Sequence, residues 1–364
     1  MSLVKDACKA VGELFILGFN GLELSSETAS FLSEARIGGV ILFSHNTETP
    51  GQIAELTNQI QECRDTLPLW ISVDQEGGKV QRFKKGFSRI PEAAAIGATQ
   101  SPKLAFEISE IIAQELKAVG VNLNFCPVAD INTDPKNPVI GNRSFGTTEE
   151  TVSKFVTAMV RGHLVHGVQP CVKHFPGHGD TLTDSHFALP VVDTSLELLR
   201  ERELKPFQKA FKSHCSMVMT AHIIVKQVDP KVPATLSKII LQDLLRNELR
   251  YDQLIISDDL EMKAITDHFG AQDAPRLALE AGCDLFIYRT QEAAQVGYEA
   301  LIQALEKGQL NPEWVLRAEH RAKRLKKEVL SRYVPISIPS IADQLATPAF
   351  ERTLEKVLEH SRKG

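Results

Sequence analysis

The fold is decided by an apolar run that ends in two adjacent carboxylates, Leu254-Ile255-Ile256-Ser257-Asp258-Asp259-Leu260. Short runs rich in Val, Ile, Leu and Phe are typical of strands that are buried on both faces of a parallel sheet. Seven further runs of this type occur along the chain, and long amphipathic stretches separate them. The eight predicted strands cover residues 14–17, 39–43, 69–73, 121–125, 169–172, 217–220, 254–257 and 284–288.

Helices are predicted between these strands. Ser101 and Pro102 supply an N-cap and a first helical residue, and Gly120 marks the end of that helix. Apolar residues at helical spacing predict further helices over 148–166, 195–213 and 237–250. The chain therefore alternates between strands and helices over most of its length.

This alternation predicts an α/β fold, specifically a single-domain (β/α)8 TIM-type barrel over residues 1–333. The alternative is a doubly wound parallel sheet, which is favoured by a G-x-G-x-x-G turn after the first strand. Gly18-Phe19-Asn20-Gly21 at that position is not such a turn. Residues 334–364 are predicted to form a C-terminal extension, in which an extended linker over 334–340 precedes a charged helix over 349–361. We expect this helix to pack on the outside of the barrel.

Composition narrows the classes of protein to which the chain can belong. It has 364 residues, 43% hydrophobic and 24% charged, which excludes a fibrous or disordered protein. A net charge of −5 disfavours a nucleic-acid partner, and the lack of an apolar run of roughly 18 residues argues against a membrane span. The six cysteines form no C-x-x-C pair, and the N-terminus has no signal pattern. We therefore expect a cytoplasmic protein with reduced thiols, and take a monomer as the default.

Polar side chains follow five successive predicted strands, from the third to the seventh. In chain order they are Asp74, Asp130, Lys173 with His174, His222, and Asp258 with Asp259. The carboxyl ends of all strands meet on one face of a barrel, and the active sites of such enzymes lie there. The sequence therefore predicts an active site at that end of the barrel.

The richest polar stretch is the loop over residues 173–186, with three histidines, two aspartates and a lysine. Pro176 and two glycines prevent a helix there. One chemistry that fits is a metal site built from His174, His178, Asp180 and His186, although no H-E-x-x-H or C-x-x-C pattern is present.

The second chemistry is acid–base catalysis. Asp184 and His186 lie on one short loop, where the carboxylate can orient the imidazole and stabilise its charged form. Asp258, at the end of a buried strand, could then attack an anomeric carbon. Both chemistries remain open on the residues alone.

Four motifs together resemble glycoside hydrolase family 3. They are Asp74-Gln75-Glu76-Gly77-Gly78-Lys79-Val80-Gln81-Arg82, Gly141-Asn142-Arg143-Ser144-Phe145-Gly146, the 173–186 loop, and Ser257-Asp258-Asp259-Leu260. The resemblance covers roughly residues 10–330. The loop that ends in Asp-Ser-His is similar to that of the single-domain, NagZ-type bacterial β-N-acetylglucosaminidases. Lys79 departs from the family pattern, in which arginine is common at this position.

The resemblance implies an exo-acting retaining hydrolase that needs no cofactor or metal. Its implied substrates are peptidoglycan fragments, the GlcNAc-1,6-anhydroMurNAc-peptides, from which it removes the terminal non-reducing GlcNAc in cell-wall recycling. Asp258 is the implied nucleophile, and His186 with Asp184 is the implied acid/base dyad. The implied ligands of the terminal sugar are Asp74, Arg82, Arg143, Lys173 and His174. Two further strand-end residues, His222 and Asp130, are candidates for the pocket.

Three alternatives remain at this stage. Because a histidine acid/base carries no standing negative charge, phosphate could replace water as the acceptor, which would make the protein a β-N-acetylglucosaminide phosphorylase. A metal-dependent barrel hydrolase is the alternative from another catalytic class. The alternative outside the enzymes is a sugar-binding sensor that kept the fold but lost catalysis.

Overall fold

The computed structural model describes residues 2–64, 66–181, 189–330 and 333–361. Eight parallel strands close into a barrel in which each strand pairs with its neighbours in chain order, and the last pairs with the first. The strands are β1 (Phe15–Leu17), β2 (Gly39–Leu42), β3 (Trp70–Val73), β4 (Leu123–Asn124), β5 (Gln169–Phe175), β6 (Met217–Thr220), β7 (Leu254–Asp259) and β8 (Leu285–Tyr288). The predicted (β/α)8 barrel is confirmed.

Two strands are longer than their apolar runs predict. β5 continues through Lys173 and His174 to Phe175, which pairs with Thr220 of β6. β7 likewise continues through Asp258 to Asp259, which pairs with Ile287 of β8 after a register shift. Lys173, His174, Asp258 and Asp259 are thus part of the sheet and not of loops.

Helices surround the barrel. Their bounds are α1 (Ser2–Ala10), α2 (Ser26–Glu34), α3 (Pro50–Glu62), α4 (Ala93–Ala98), α5 (Pro102–Ala118), α6 (Glu149–Val165), α7 (Leu196–Leu198), α8 (Leu204–Lys212), α9 (Lys263–Phe269), α10 (Ala274–Ala281), α11 (Gln291–Glu306), α12 (Pro312–Val329) and α13 (Pro348–Ser361). Ser101 caps α5 as predicted, because its side chain accepts a hydrogen bond from the N–H of Leu104. Two stretches are π-helical, namely Leu199–Glu203 and Ile239–Glu248.

The barrel interior is filled by alternate residues of the strands, in keeping with the two-residue period of a β-strand. Met217 with Met219 and Leu254 with Ile256 are examples, and all four are nearly inaccessible to solvent. Ala322 and Leu325 of α12 belong to the same cluster, so α12 closes the end of the barrel at which the strands begin. The opposite end remains open.

The C-terminal helix α13 packs against α4 and α5 on the outside of the barrel, with Leu354 and Val357 buried. The segment before it is not extended throughout, since Ile338–Ser340 forms a 3-10 turn. The Glu115 carboxylate of α5 anchors this region by accepting a hydrogen bond from the N–H of Ala346 at 2.8 Å. No helix among the described residues is long and apolar enough to cross a bilayer.

Candidate active site

A cavity of about 450 Å³ opens at the carboxyl ends of the strands. Six of the predicted site residues line it, namely Asp74, Arg82, Arg143, Lys173, His174 and Asp258. The floor is apolar, because Ile41, Phe125, Met219 and Ile287 of the barrel interior form it. The cavity is therefore a blind pocket with a charged wall, and its volume lies in the range of small-ligand sites.

Lys173 organises one wall of the pocket. Its ammonium lies 2.7 Å from an oxygen of Asp74 and 2.7 Å from an oxygen of Glu76, and the side chain is only 2% exposed. Arg143 donates two hydrogen bonds to the Glu76 carboxylate, at 2.9 and 2.7 Å. Burial opposes the charge on Lys173, but the two carboxylates outweigh it and raise the lysine pKa. Lys173 is thus a permanent cation held at the base of the wall.

Asp130 fixes the start of the 173–186 loop. Its carboxylate lies 2.7 Å from Nδ1 of His174 and accepts a hydrogen bond from the N–H of His178 at 2.7 Å. Burial would raise the pKa of Asp130, yet the two histidines and these hydrogen bonds lower it below its usual value. Burial also lowers the pKa of His178 to about 4, so this imidazole is neutral at pH 7. Asp130 itself is buried behind the wall and positions His174 without lining the cavity.

Asp258 lies in the wall at the end of β7. One of its carboxylate oxygens accepts a hydrogen bond from the N–H of Asp259 at 2.8 Å. Burial would raise its pKa, but His222, His174 and this N–H, together with Lys173, bring the pKa below the usual value. The carboxylate is therefore ionised at neutral pH, which is the state that nucleophilic attack requires.

His222 lies beneath Asp258 and is fully buried. Its Nε2 lies 3.0 Å from the carbonyl oxygen of Asp259, and its Nδ1 lies 2.7 Å from the hydroxyl of Thr235. Because a carbonyl can only accept, Nε2 carries the proton and donates it. His222 therefore supports the backbone of β7 from below and does not line the cavity.

Sequence reasoning missed Arg289 and its ion pair with Asp259, the residue that follows Asp258. Asp259 accepts a hydrogen bond from Nε of Arg289 at 2.5 Å, and Arg289 lines the cavity directly after β8. Burial raises the pKa of Asp259 to about 6, with Arg289 opposing the rise. A signal was available, since Arg289 follows the eighth strand just as Asp74 follows the third. Glu76 also lay within a quoted motif, but nothing in the sequence indicated that it would bridge Lys173 and Arg143.

The predicted acid/base dyad, Asp184 and His186, lies outside the described residues. Of the other residues considered as metal ligands, His174 and His178 contact Asp130, while Asp180 accepts a hydrogen bond from the hydroxyl of Thr133 at 3.0 Å. Within the described ranges, no three His, Cys, Asp or Glu side chains are placed to hold one metal ion. The described wall instead combines an ionised carboxylate with paired cations and acceptors that suit sugar hydroxyls.

Comparison with known proteins shows the family to which this chain belongs. The model of the Glycosyl hydrolase family 3 N terminal domain matches residues 9–325. The Beta-hexosaminidase of Alkalilimnicola ehrlichii is 38% identical over 278 residues, which cover 75% of this chain and 79% of that protein.

Two solved structures show the same relationship. The family 3 β-N-acetylglucosaminidase of a Paenibacillus species is 41% identical, with a TM-score of 0.92 over 97% of this chain and 68% of its own. NagZ of Neisseria gonorrhoeae, solved in complex with N-trifluoroacetyl-D-glucosamine, is 31% identical, with a TM-score of 0.78 over 96% of this chain and 98% of its own. The resemblance found in the sequence is confirmed: the chain belongs to glycoside hydrolase family 3, as a β-N-acetylhexosaminidase of the NagZ-like type.

Proposed function

We propose that this enzyme removes the terminal non-reducing GlcNAc from peptidoglycan fragments, GlcNAc-1,6-anhydroMurNAc-peptides, by a retaining mechanism. The observation that carries the mechanism is Asp258, an ionised carboxylate at the end of β7 in the wall of a blind pocket. In this proposal the enzyme acts in the cytoplasm, on small carbohydrate substrates.

The shape of the pocket supports exo action. A pocket closed by the barrel interior accepts a chain end, and the remainder of the substrate must leave through the mouth. The proposed ligands of the terminal sugar are Asp74, Arg82, Arg143, Lys173 and His174. Lys173 and His174 are only 2% and 6% exposed, so they reach the sugar that enters deepest.

In the first step, a carboxylate oxygen of Asp258 attacks the anomeric carbon as the bond from that carbon to the leaving oxygen breaks. His186, held by Asp184, gives its proton to the leaving oxygen, and the aglycone departs as an alcohol. The product of this step is a glycosyl-enzyme ester on Asp258. Proton transfer of this kind contributes about 10²- to 10⁴-fold to the rate.

In the second step, neutral His186 takes a proton from water as the water oxygen attacks the anomeric carbon. The ester bond to Asp258 breaks, and the carboxylate is restored. Two inversions at one carbon leave GlcNAc in its original β configuration. A histidine suits this alternation at neutral pH, because its unperturbed pKa is about 6.5.

The test is release of nitrophenol from 4-nitrophenyl N-acetyl-β-D-glucosaminide by the wild type, Asp258→Ala and His186→Ala. Asp252→Ala is the matched control, because Asp252 is exposed and precedes β7 at the opposite end of the same strand. We expect kcat to fall about 10³-fold or more for Asp258→Ala and about 10²-fold or more for His186→Ala. The control should remain within about twofold of the wild type.

Two additions to the assay separate the alternatives. Activity that survives exhaustive chelation agrees with the proposal, whereas loss on chelation alone favours a metal-dependent hydrolase. Formation of GlcNAc 1-phosphate in the presence of inorganic phosphate would make the enzyme a phosphorylase. An Asp258→Ala variant within tenfold of wild-type kcat would refute the assigned nucleophile.

A further inference from the structure

Arg289 is a charged residue of the cavity to which the proposed mechanism gives no role. It follows β8 directly, lines the cavity, and its side chain is 43% exposed. Within the described residues, the Arg289 side chain donates a hydrogen bond from Nε to the carboxylate of Asp259. A guanidinium has five N–H donors, so this bond leaves its two terminal nitrogens for a ligand.

The backbone of Arg289 is held from both sides. The N–H of Gly18 donates to the carbonyl of Tyr288 at 2.8 Å, and a Cβ on Gly18 would lie 2.3 Å from the carbonyl oxygen of Arg289. On the other side, the Glu261 carboxylate accepts hydrogen bonds from the N–H and the hydroxyl of Thr290, at 2.7 and 2.9 Å. These contacts join the ends of β1, β7 and β8, and they fix the arginine at the rim.

The carboxylate of Asp259 orients the guanidinium. Its side chain is 15% exposed, and its second oxygen accepts a hydrogen bond from the N–H of Glu261 at 2.9 Å. Asp259 is therefore held in place while it binds Nε. An arginine fixed in this way loses little conformational entropy when its remaining donors bind a planar anion.

In two ion pairs of the cavity, the arginine side chain is more exposed to solvent than the aspartate side chain. Arg82 and Arg289 are 32% and 43% exposed, whereas Asp74 and Asp259 are 16% and 15% exposed. In these two ion pairs the guanidinium thus reaches further toward the mouth than the carboxylate, whereas Lys173 lies deep in the pocket. Asp258 and Asp259 line the cavity on the β7 side of Arg289, whereas the described lining residues from the ends of β1 and β2, among them Asn20 and His45, include no carboxylate.

We infer that Arg289 forms an anion subsite at the rim, which binds a carboxylate carried by the aglycone next to the cleaved bond. This inference rests on the proposed function, because in an exo-acting enzyme the terminal sugar fills the deep pocket and the aglycone lies at the mouth. Arg289 recognises carboxylates because two parallel N–H donors match the two oxygens of that group. The enzyme should therefore favour β-N-acetylglucosaminides whose aglycone keeps a free carboxylate and, among muropeptide fragments, those whose lactyl carboxyl does not form an amide bond with the peptide.

The experiment compares kcat/KM for three disaccharides: GlcNAc-MurNAc, its lactyl methyl ester, and GlcNAc β-linked to glucuronic acid. The acid and its ester differ by one charge and one methyl group, and the uronide distinguishes a ring carboxylate from a lactyl one. We expect the wild type to prefer at least one acid over the neutral ester. In Arg289→Gln this preference should fall by about 5- to 20-fold, and Arg289→Lys should restore part of it.

The matched control is Arg276→Gln, because Arg276 is a half-buried arginine of α10, outside the cavity lining, that is paired with Asp273 and Glu280. It should leave both activity and preference unchanged. Equal preference in the wild type and Arg289→Gln would overturn the inference and leave the proposed function intact. An equal loss on acid and ester in Arg289→Gln would also overturn it, since the arginine would then act on Asp258 and not on the aglycone. If the wild type hydrolyses none of the three, the proposed function itself fails.

Discussion

Two buried lysines lie at opposite ends of the barrel. Lys173 is 2% exposed at the mouth, where Asp74 and Glu76 each lie 2.7 Å from its ammonium. Lys326 is fully buried at the closed end, where its ammonium contacts one carboxylate, that of Glu13, and the carbonyl of Gly38 at 2.7 Å. Only Lys173 lines a cavity.

The electrostatic balance differs accordingly. At the mouth, two carboxylates raise the pKa of Lys173 despite its burial. At the closed end, burial lowers the pKa of Lys326, because Glu13 is its single anionic neighbour and is shared with Arg64. The same residue type thus stabilises the closed end and, in the proposed function, binds the sugar at the mouth. What separates the two roles is whether space is left beside the ion pair.

The largest effect on stability is expected at the closed end. Lys326→Met leaves Glu13 buried with only Arg64 as partner, so the free energy of unfolding should fall by about 3–5 kcal/mol. Folded protein should keep wild-type kcat/KM. Urea denaturation and nitrophenol release measure the two quantities. Lys323 lies one turn away on α12, and its side chain is 40% exposed in an ion pair with Glu319. Lys323→Met should therefore change the free energy of unfolding by about 0.5 kcal/mol or less.

At the mouth, the expected effect is on catalysis. Lys173→Met removes the cation that, in the proposed function, contacts the deepest sugar, so kcat/KM should fall by about 10²- to 10³-fold. Each carboxylate keeps one arginine in both variants. The stability loss should be smaller for Lys173→Met, because Asp74 lies in the open cavity and is 16% exposed, so water can solvate it, whereas Glu13 is 3% exposed. Nitrophenol release measures the loss of kcat/KM, and urea denaturation measures the loss of stability. A Lys173→Met variant that unfolds more readily but hydrolyses normally would invert the comparison.

The smallest effect depends on pH. The pKa of His178 is about 4 in the folded protein and roughly 6.5 when unfolded, so the unfolded chain binds more protons between these values. Stability is therefore lost as pH falls from 6.5 to 4, by about 3 kcal/mol from this group. His178→Gln should lose correspondingly less stability over that interval when both proteins are denatured at pH 7 and pH 4. Parallel losses would show that His178 is not buried in its neutral form.

The mouth of the barrel was largely predictable from the sequence, because polar residues at the ends of apolar strands have no place in a parallel barrel core. Lys173 and Asp258 were identified in this way. The strand ends were wrong at β5 and β7, which continue through these residues. Residues distant in the chain satisfy Lys173 and Asp259, so the backbone keeps its sheet pairing there. A pattern over neighbouring residues does not predict partners that lie so far away in the chain.

The closed end was not predictable. Lys326 lies in Arg324-Leu325-Lys326-Lys327-Glu328, a run that is typical of a solvated helix face. Its burial depends on Glu13, which is 313 positions away in the chain, and on the closure of the barrel by α12. Sequence patterns therefore identify charged residues that line a cavity more readily than charged residues that tertiary packing encloses.

In the proposed mechanism, Asp258 carries the sugar as a covalent ester during turnover. A 5-fluoro analogue of GlcNAc with a good leaving group slows breakdown of the ester, so the labelled enzyme accumulates and can be digested for peptide mass mapping. We expect one added sugar per chain, located on Asp258, and no labelling of Asp258→Ala. A label on another residue, or turnover of the analogue with inversion at the anomeric carbon, would contradict it.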